Sequence, residues 1–261
     1  MSSTQSVRIL LIQPKKPRRI KVRVRGMAPL LVDPIPPEVV KSMLTGVKWA
    51  LPKDMPFKEI CEFKLQNQRD AEGRIAIRRS MLVGALHNAG RNIPYRGKSK
   101  IATAVTSFLP SFFQIEDRWL RLIDDDGKEP AWEINLDVGN GQTSKNAIIR
   151  PRFDTWNFDL VFQYDEGDVS KRTMEKLFLL AGKEIGLGCF RVGRKGENGQ
   201  FMIESWEDIT PSDWPQSKAE ADSTKPAARP KTRLARAVAN ASAEETADSN
   251  VSANGELAAA E

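Results

Sequence analysis

The chain's 261 residues and 29.2 kDa allow one large domain or two small ones with a real core. Its 40 Lys and Arg against 34 Asp and Glu leave a net charge of +6, a balance that suits an acidic partner such as nucleic acid. Cysteine occurs only at Cys61 and Cys189, far apart in sequence, which excludes a disulfide framework and a zinc knuckle. No run of eighteen uncharged apolar residues exists to span a membrane, and residues 1–8 lack a basic segment followed by an apolar run, so a soluble, unexported, cytoplasmic protein without membrane contact is expected.

Residues 1–17 mix Ile9-Leu10-Leu11-Ile12 with Pro14, Lys15, Lys16 and Pro17 and read as an N-terminal arm. From Arg19 onward, Ile20, Val22 and Val24 alternate with Lys21, Arg23 and Arg25, the period of a strand with one apolar and one wholly cationic face. Like charges stacked on one face repel unless an anion lies between them, which fits contact with a nucleic-acid backbone; the other reading is solubility or protection of a sheet edge. Asp33-Pro34-Ile35-Pro36-Pro37 breaks the strand and starts a helix through about Leu44, and Pro52 and Pro56 interrupt residues 45–70.

A short strand is predicted at Gly73-Arg74-Ile75-Ala76-Ile77, then a helix capped by Ser80 with Met81, Leu82, Ala85, Leu86 and Ala89 inward and Gly90 at its end. A basic connection follows, in which Arg91, Arg96, Lys98 and Lys100 surround Pro94, Tyr95 and Gly97. An aromatic among cations can stack on a base while its neighbours hold phosphates, and an ordinary surface loop is the competing reading. Residues 109–123 read as strand, Asp124-Asp125-Asp126-Gly127 as a turn and Trp132 to Leu136 as a second strand, together a hairpin. Gly139-Asn140-Gly141 is a further turn, and Ala147 to Arg152 leads into the next strand.

The most informative stretch runs from Trp156 to Trp206. Trp156, Phe158, Leu160 and Phe162 make one face of a strand; Ser170 then caps a helix whose stripe is Met174, Leu177, Phe178, Ala181 and Ile185, ended by Gly186. A loop with glycines at 186, 188, 193, 196 and 199 and cations at Arg191, Arg194 and Lys195 leads to the strand Phe201 to Trp206. Glycine lets backbone approach a ligand closely and the cations answer phosphate charge, so this loop suits a polyanion; the alternative is a flexible loop with solvated charges. It lacks the Gly-Lys-Ser/Thr ending of a nucleotide-hydrolysing loop, and its helix precedes the strand, an order opposed to a dinucleotide fold.

His87, the single histidine, has no motif that would orient it as a general base, and Asp124 to Asp126 lack the alternating ligands of a calcium loop. No catalytic, metal or cofactor site is expected. After Trp214-Pro215 the composition turns to alanine, serine, lysine and glutamate, and residues 215–261 read as a disordered tail with a basic first half and an acidic end.

Two segments resemble the CRISPR-associated RAMP superfamily. Gly73 through Leu86 is similar to that family's glycine, strand, small-residue cap and Leu-x-Gly-x-Leu helix start, and Gly186-Leu187-Gly188-Cys189-Phe190-Arg191 through Gly199-Gln200-Phe201 to its C-terminal glycine-rich loop. The chain departs from the pattern at Ile77-Arg78-Arg79, where the family often has Ile-Pro-Gly, and its loop is less dense in glycine and arginine. The resemblance implies an α+β fold, a ferredoxin-like or RRM-like βαββαβ core with insertions over residues 18–214. It further implies a non-catalytic backbone-type subunit that binds single-stranded RNA or DNA and assembles as a homo-oligomer or with other effector subunits in antiviral defence. Arg23, Arg25, Arg91, Arg96, Lys98, Arg191, Arg194 and Lys195 would then hold phosphates, and Tyr95 or Phe190 would stack on bases. Two rivals stand beside it: an endoribonuclease using His87, or using Asp33, whose place after the first strand resembles that of the aspartate in cleaving family members; and a phage or mobile-element interaction protein with a basic docking surface.

Overall fold

The computed structural model describes residues 16–47, 52, 54–97, 99–140, 145–212 and 214. The expected arm, apart from its last two residues, and the expected tail therefore lie outside the described residues. In chain order the first elements are β1 (Pro17–Gly26), β2 (Leu30–Leu31), α1 (Pro37–Thr45), α2 (Phe57–Leu65), β3 (Ala76–Arg78) and α3 (Arg79–Gly90). There follow α4 (Leu109–Phe112), β4 (Phe113–Ile115), β5 (Trp119–Arg121), β6 (Glu133–Asn140), β7 (Lys145–Phe153), β8 (Asn157–Asp165), α5 (Lys171–Leu180) and β9 (Phe201–Asp208).

The principal sheet has the order β4-β8-β1-β9 with each neighbouring pair antiparallel. Strand β1 is followed by α3 and then β4, and β8 by α5 and then β9. Each helix thus bridges two strands separated in the sheet by a third, which is the split βαβ arrangement of a ferredoxin-like α+β core. Period-two burial explains why these strands form where they do: Ile20, Val22 and Val24 of β1 and Phe158, Leu160 and Phe162 of β8 turn to the same side, each at most 1% exposed. Against them lie Leu82, Leu86 and Ala89 of α3 and Met174, Leu177 and Phe178 of α5. The Phe162 ring stacks on Phe178 at 5.3 Å, and Trp206 of β9 meets both edge-on, the offset and T-shaped geometries that aromatic quadrupoles favour.

Ser170 caps α5 as its sequence position predicts, accepting the Thr173 N–H. The helix then widens into a π-turn over Ala181–Ile185 and ends at Gly186, φ 73°. Pro37 opens α1 and Gly46 ends it in the left-handed region. The insertions build a three-stranded sheet, β2-β7-β6, and a two-stranded one, β3-β5.

Three local expectations are corrected. Strand β6 pairs with β7, with Leu136 opposite Ile149, while β5 pairs with β3, so the turn at Asp124 to Gly127 does not join two partners in a hairpin. The side-chain period of a strand does not reveal its partner: β6 pairs with the next strand along the chain, whereas β5 pairs with the sequence-distant β3. Residues 109–112 form a helical turn because Pro110 fits a helix start and withholds no needed N–H. Ser80 lies inside α3, whose N-cap is the extended Arg78, and no side chain caps that end.

One ion pair joins three strands of the principal sheet. Glu116, just past β4, takes two 2.7 Å hydrogen bonds from the Arg19 guanidinium on β1 and one of 3.0 Å from the Gln163 amide on β8. These hydrogen bonds, the one from Arg19 foremost, hold the Glu116 carboxyl below the usual glutamate range. A carboxyl depressed in the folded state adds stability above the unfolded-state pKa, about 4.3, and loses it as pH falls through the lower folded value. The gap in urea midpoint between wild type and Glu116→Gln should therefore be widest above about pH 5 and close on acidification. Packing yields a second expectation. A Cβ at Gly182 would lie 2.0 Å from the Phe201 carbonyl oxygen where the π-turn meets β9, so Gly182→Ala should cost about 1–3 kcal/mol in denaturant unfolding.

Candidate nucleic-acid interface

The glycine-rich loop is closed by its own backbone. Leu187 N–H donates to the Gly199 carbonyl at 2.8 Å, Asn198 N–H to that of Phe190 at 3.1 Å and Gly196 N–H to that of Arg191 at 3.1 Å. Two more bonds of 2.8 Å, from Cys189 to Leu31 and from Gly199 to Pro29, fasten it to the segment around β2. Gly188 makes that approach possible: it sits at φ 73°, and a Cβ there would fall 2.2 Å from the Leu31 carbonyl oxygen. The loop is thus a fixed structure, and its cations have fixed bases.

On one side of the loop a groove of about 680 Å³ opens between it and the C-terminal end of α3. Arg191 and Arg194 from the loop, Arg91 from the helix end and Lys100 from the basic connection line it, with Asn88 and Asn92 between them. Among the described residues no carboxylate lines the groove and none of the four cations is ion-paired. The negative end of the α3 dipole, roughly half a charge, offsets only part of four positive ones. Such a groove favours a chain of anions spaced along its length. Sequence reasoning anticipates Arg91, Arg191 and Arg194. It names Lys100 among the cations of the basic connection but misses the two asparagines, although the spacing of Asn88, Arg91 and Asn92 at i, i+3 and i+4 is a legible signal of one helical face.

Lys195 lies on the other side of the loop, in a second groove of about 650 Å³ with Phe190, Asn198 and residues of the β6–β7 hairpin. The remaining candidates fall elsewhere. Arg23 is 3.0 Å from Glu204 and 3.7 Å from Asp159, and Arg25 is 3.6 Å from Glu204 and 4.0 Å from Asp125. The anion that the cationic face of β1 requires is therefore supplied by carboxylates on the neighbouring strands β8 and β9 and on the Asp124 turn. Arg96 points its guanidinium to Asp168 at 2.6 Å and over the Tyr95 ring. Tyr95 itself is corrected as a base-stacking residue: it is 6% exposed, packed on Phe108 and Phe112, because in this connection the aromatic ring serves the core and its cationic neighbours stay outside. Lys98 lies outside the described residues.

The groups weighed for chemistry are held in structural contacts. Asp33 accepts hydrogen bonds from Lys64 at 2.6 Å and from Arg150 at 3.0 Å. His87, half-buried on α3, has no carboxylate partner among the described residues. Burial pushes the thiols of Cys61 and Cys189 up, away from the reactive thiolate. Among the described residues no group of three or more His, Cys, Asp or Glu side chains could hold a metal ion, and no helix is long and apolar enough to cross a membrane.

No family model and no curated protein matches the chain. Among solved structures it is similar to a chain of the Type III-B Cmr-beta complex bound to cognate target RNA, with 12% identity and a TM-score of 0.42 over 75% of this chain; it spans 61% of that chain's length. It is also similar to Cmr6 from Pyrococcus furiosus, with 11% identity and a TM-score of 0.36, covering 72% of this chain and 99% of Cmr6. At this identity both likenesses are distant.

Proposed function

We propose that this protein is a non-catalytic single-stranded nucleic-acid-binding protein, a backbone-type subunit of a CRISPR-like ribonucleoprotein that carries RNA alongside other effector subunits. The observation that carries the reading is the convergence of Arg91, Lys100, Arg191 and Arg194 on one groove that, among the described residues, no carboxylate lines. Four unpaired cations at one site repel one another, and the arrangement is relieved by a polyanion whose phosphates sit among them while their counterions are released. An open groove with amide side chains between its cations fits a flexible sugar-phosphate strand. The cleavage alternative has less support: Asp33 is engaged by two cations, and His87 has no carboxylate partner among the described residues.

A salt series with single-stranded RNA and single-stranded DNA tests the reading. Four phosphate contacts give a slope of about −3 in log K against log salt, from roughly −0.7 per contact on single strands. Arg91→Ala together with Arg194→Ala should lower that slope by about 1.4 and weaken binding to every sequence alike. Arg23→Ala with Arg25→Ala should change neither. Affinity indifferent to salt, or untouched by the first pair of substitutions, would falsify the proposal.

A further inference from the structure

Phe190 has a conformation that its side chain does not favour. Its φ is 46°, in the left-handed region, within a loop that uses glycine at five neighbouring positions and could have used it here. The backbone is pinned in that state: the Phe190 carbonyl accepts the Asn198 N–H at 3.1 Å, and Gly196 packs so closely that a Cβ on it would fall 1.7 Å from the same oxygen. Nor does the ring repay the strain through burial, since it remains 40% exposed. Strain retained at an exposed aromatic residue points to a ligand.

The surroundings indicate which ligand. The Arg150 guanidinium lies 4.8 Å from the ring centroid and holds the phenyl group from one side. Arg150 is itself buried, fixed by Asp33 at 3.0 Å and 3.9 Å from Asp137, and its Nη1 has no hydrogen-bond partner. Around the ring, the second groove offers the amides of Asn135 and Asn198, the apolar Leu31 and Leu136, the carboxylates of Asp137 and Glu197, Arg152, which pairs with Asp154, and Lys195, which is not ion-paired among the described residues. A rigid aromatic face beside amides and carboxylates, which accept from the amino and imino N–H groups of a base, fits a flat heterocycle with hydrogen-bonding edges, while the carboxylates keep its phosphates out of this groove. The next residue, Arg191, lines the cationic groove on the loop's other side.

We infer that Phe190 is the stacking platform for one unpaired base of a single-stranded nucleic acid whose phosphates occupy the neighbouring cationic groove. The inference rests on the function proposed above and adds a base subsite to it. Stacking is sequence-tolerant, because every base presents a π-face, so this subsite secures an unpaired base of any identity.

The test compares two single-stranded oligonucleotides on the full chain, one carrying 2-aminopurine among ordinary bases and one of abasic sugar-phosphate only. Wild type should bind the base-bearing strand about five- to hundredfold more tightly than the abasic one and quench the 2-aminopurine fluorescence on binding. Phe190→Gly should abolish both the preference and the quenching while leaving the thermal midpoint unchanged or higher, since glycine holds this backbone without strain. Phe190→Leu, which keeps apolar contact with Arg150 but has no π-face, should lose the preference in the same way, and Phe190→Trp should keep it. If wild type binds both strands equally, or if Phe190→Leu retains preference and quenching, the base subsite is overturned and the phosphate groove stands. If wild type binds neither strand, the groove reading fails and the subsite with it.

Discussion

The site depends on a seam of backbone hydrogen bonds between the glycine-rich loop and the segment Pro29 to Leu31. Gly199 and Cys189 donate across it, and Leu187 and Gly199 close the loop on itself. Arginine side chains are long and lose much rotamer freedom when they hold a ligand, so their usefulness depends on how firmly their backbone is placed. The seam supplies that placement. It requires a residue without a Cβ at Gly188, where the Leu31 carbonyl leaves no room for one. Beneath it the π-turn of Ala181–Ile185 passes close to β9, and the Phe162, Phe178 and Trp206 cluster fixes that helix to the sheet.

Charge is divided unequally over the molecule. On the principal sheet, Arg19, Arg23 and Arg25 are met by Glu116, Asp159, Glu204 and Asp125, most of them part-exposed pairs that each contribute little to stability. On the groove beside α3, Arg91, Lys100, Arg191 and Arg194 have no such partners among the described residues. The two arrangements use similar residues, and the difference lies in what the adjacent strands and loops bring with them. A net charge of +6 for the whole chain says nothing of this division.

How far the fold was legible follows from the range of the forces involved. The alternation in β1 and β8, the stripe of α5 and the Ser170 cap are local, and the structure has them where periodicity and capping chemistry place them. The partner of β5 is β3, which lies far back along the chain, and no short window contains both. The same limit governs the site. The cations of the glycine loop announce themselves by composition, yet their convergence with Arg91 and Lys100 depends on how α3 packs against the turn at Ala181–Ile185. Tyr95 shows the reverse case: surrounded by Arg96 and Gly97 in sequence, it looks exposed, but Phe108 and Phe112 enclose it in space.

The carboxylates among the strand arginines also bear on where a long polyanion can rest. Glu204, Asp159 and Asp125 neutralise Arg23 and Arg25 and so lower the positive potential over that face of the principal sheet. If the strand proposed above binds, the groove beside α3 matches its charge better than this face does, so the sheet's own acids narrow where it can lie.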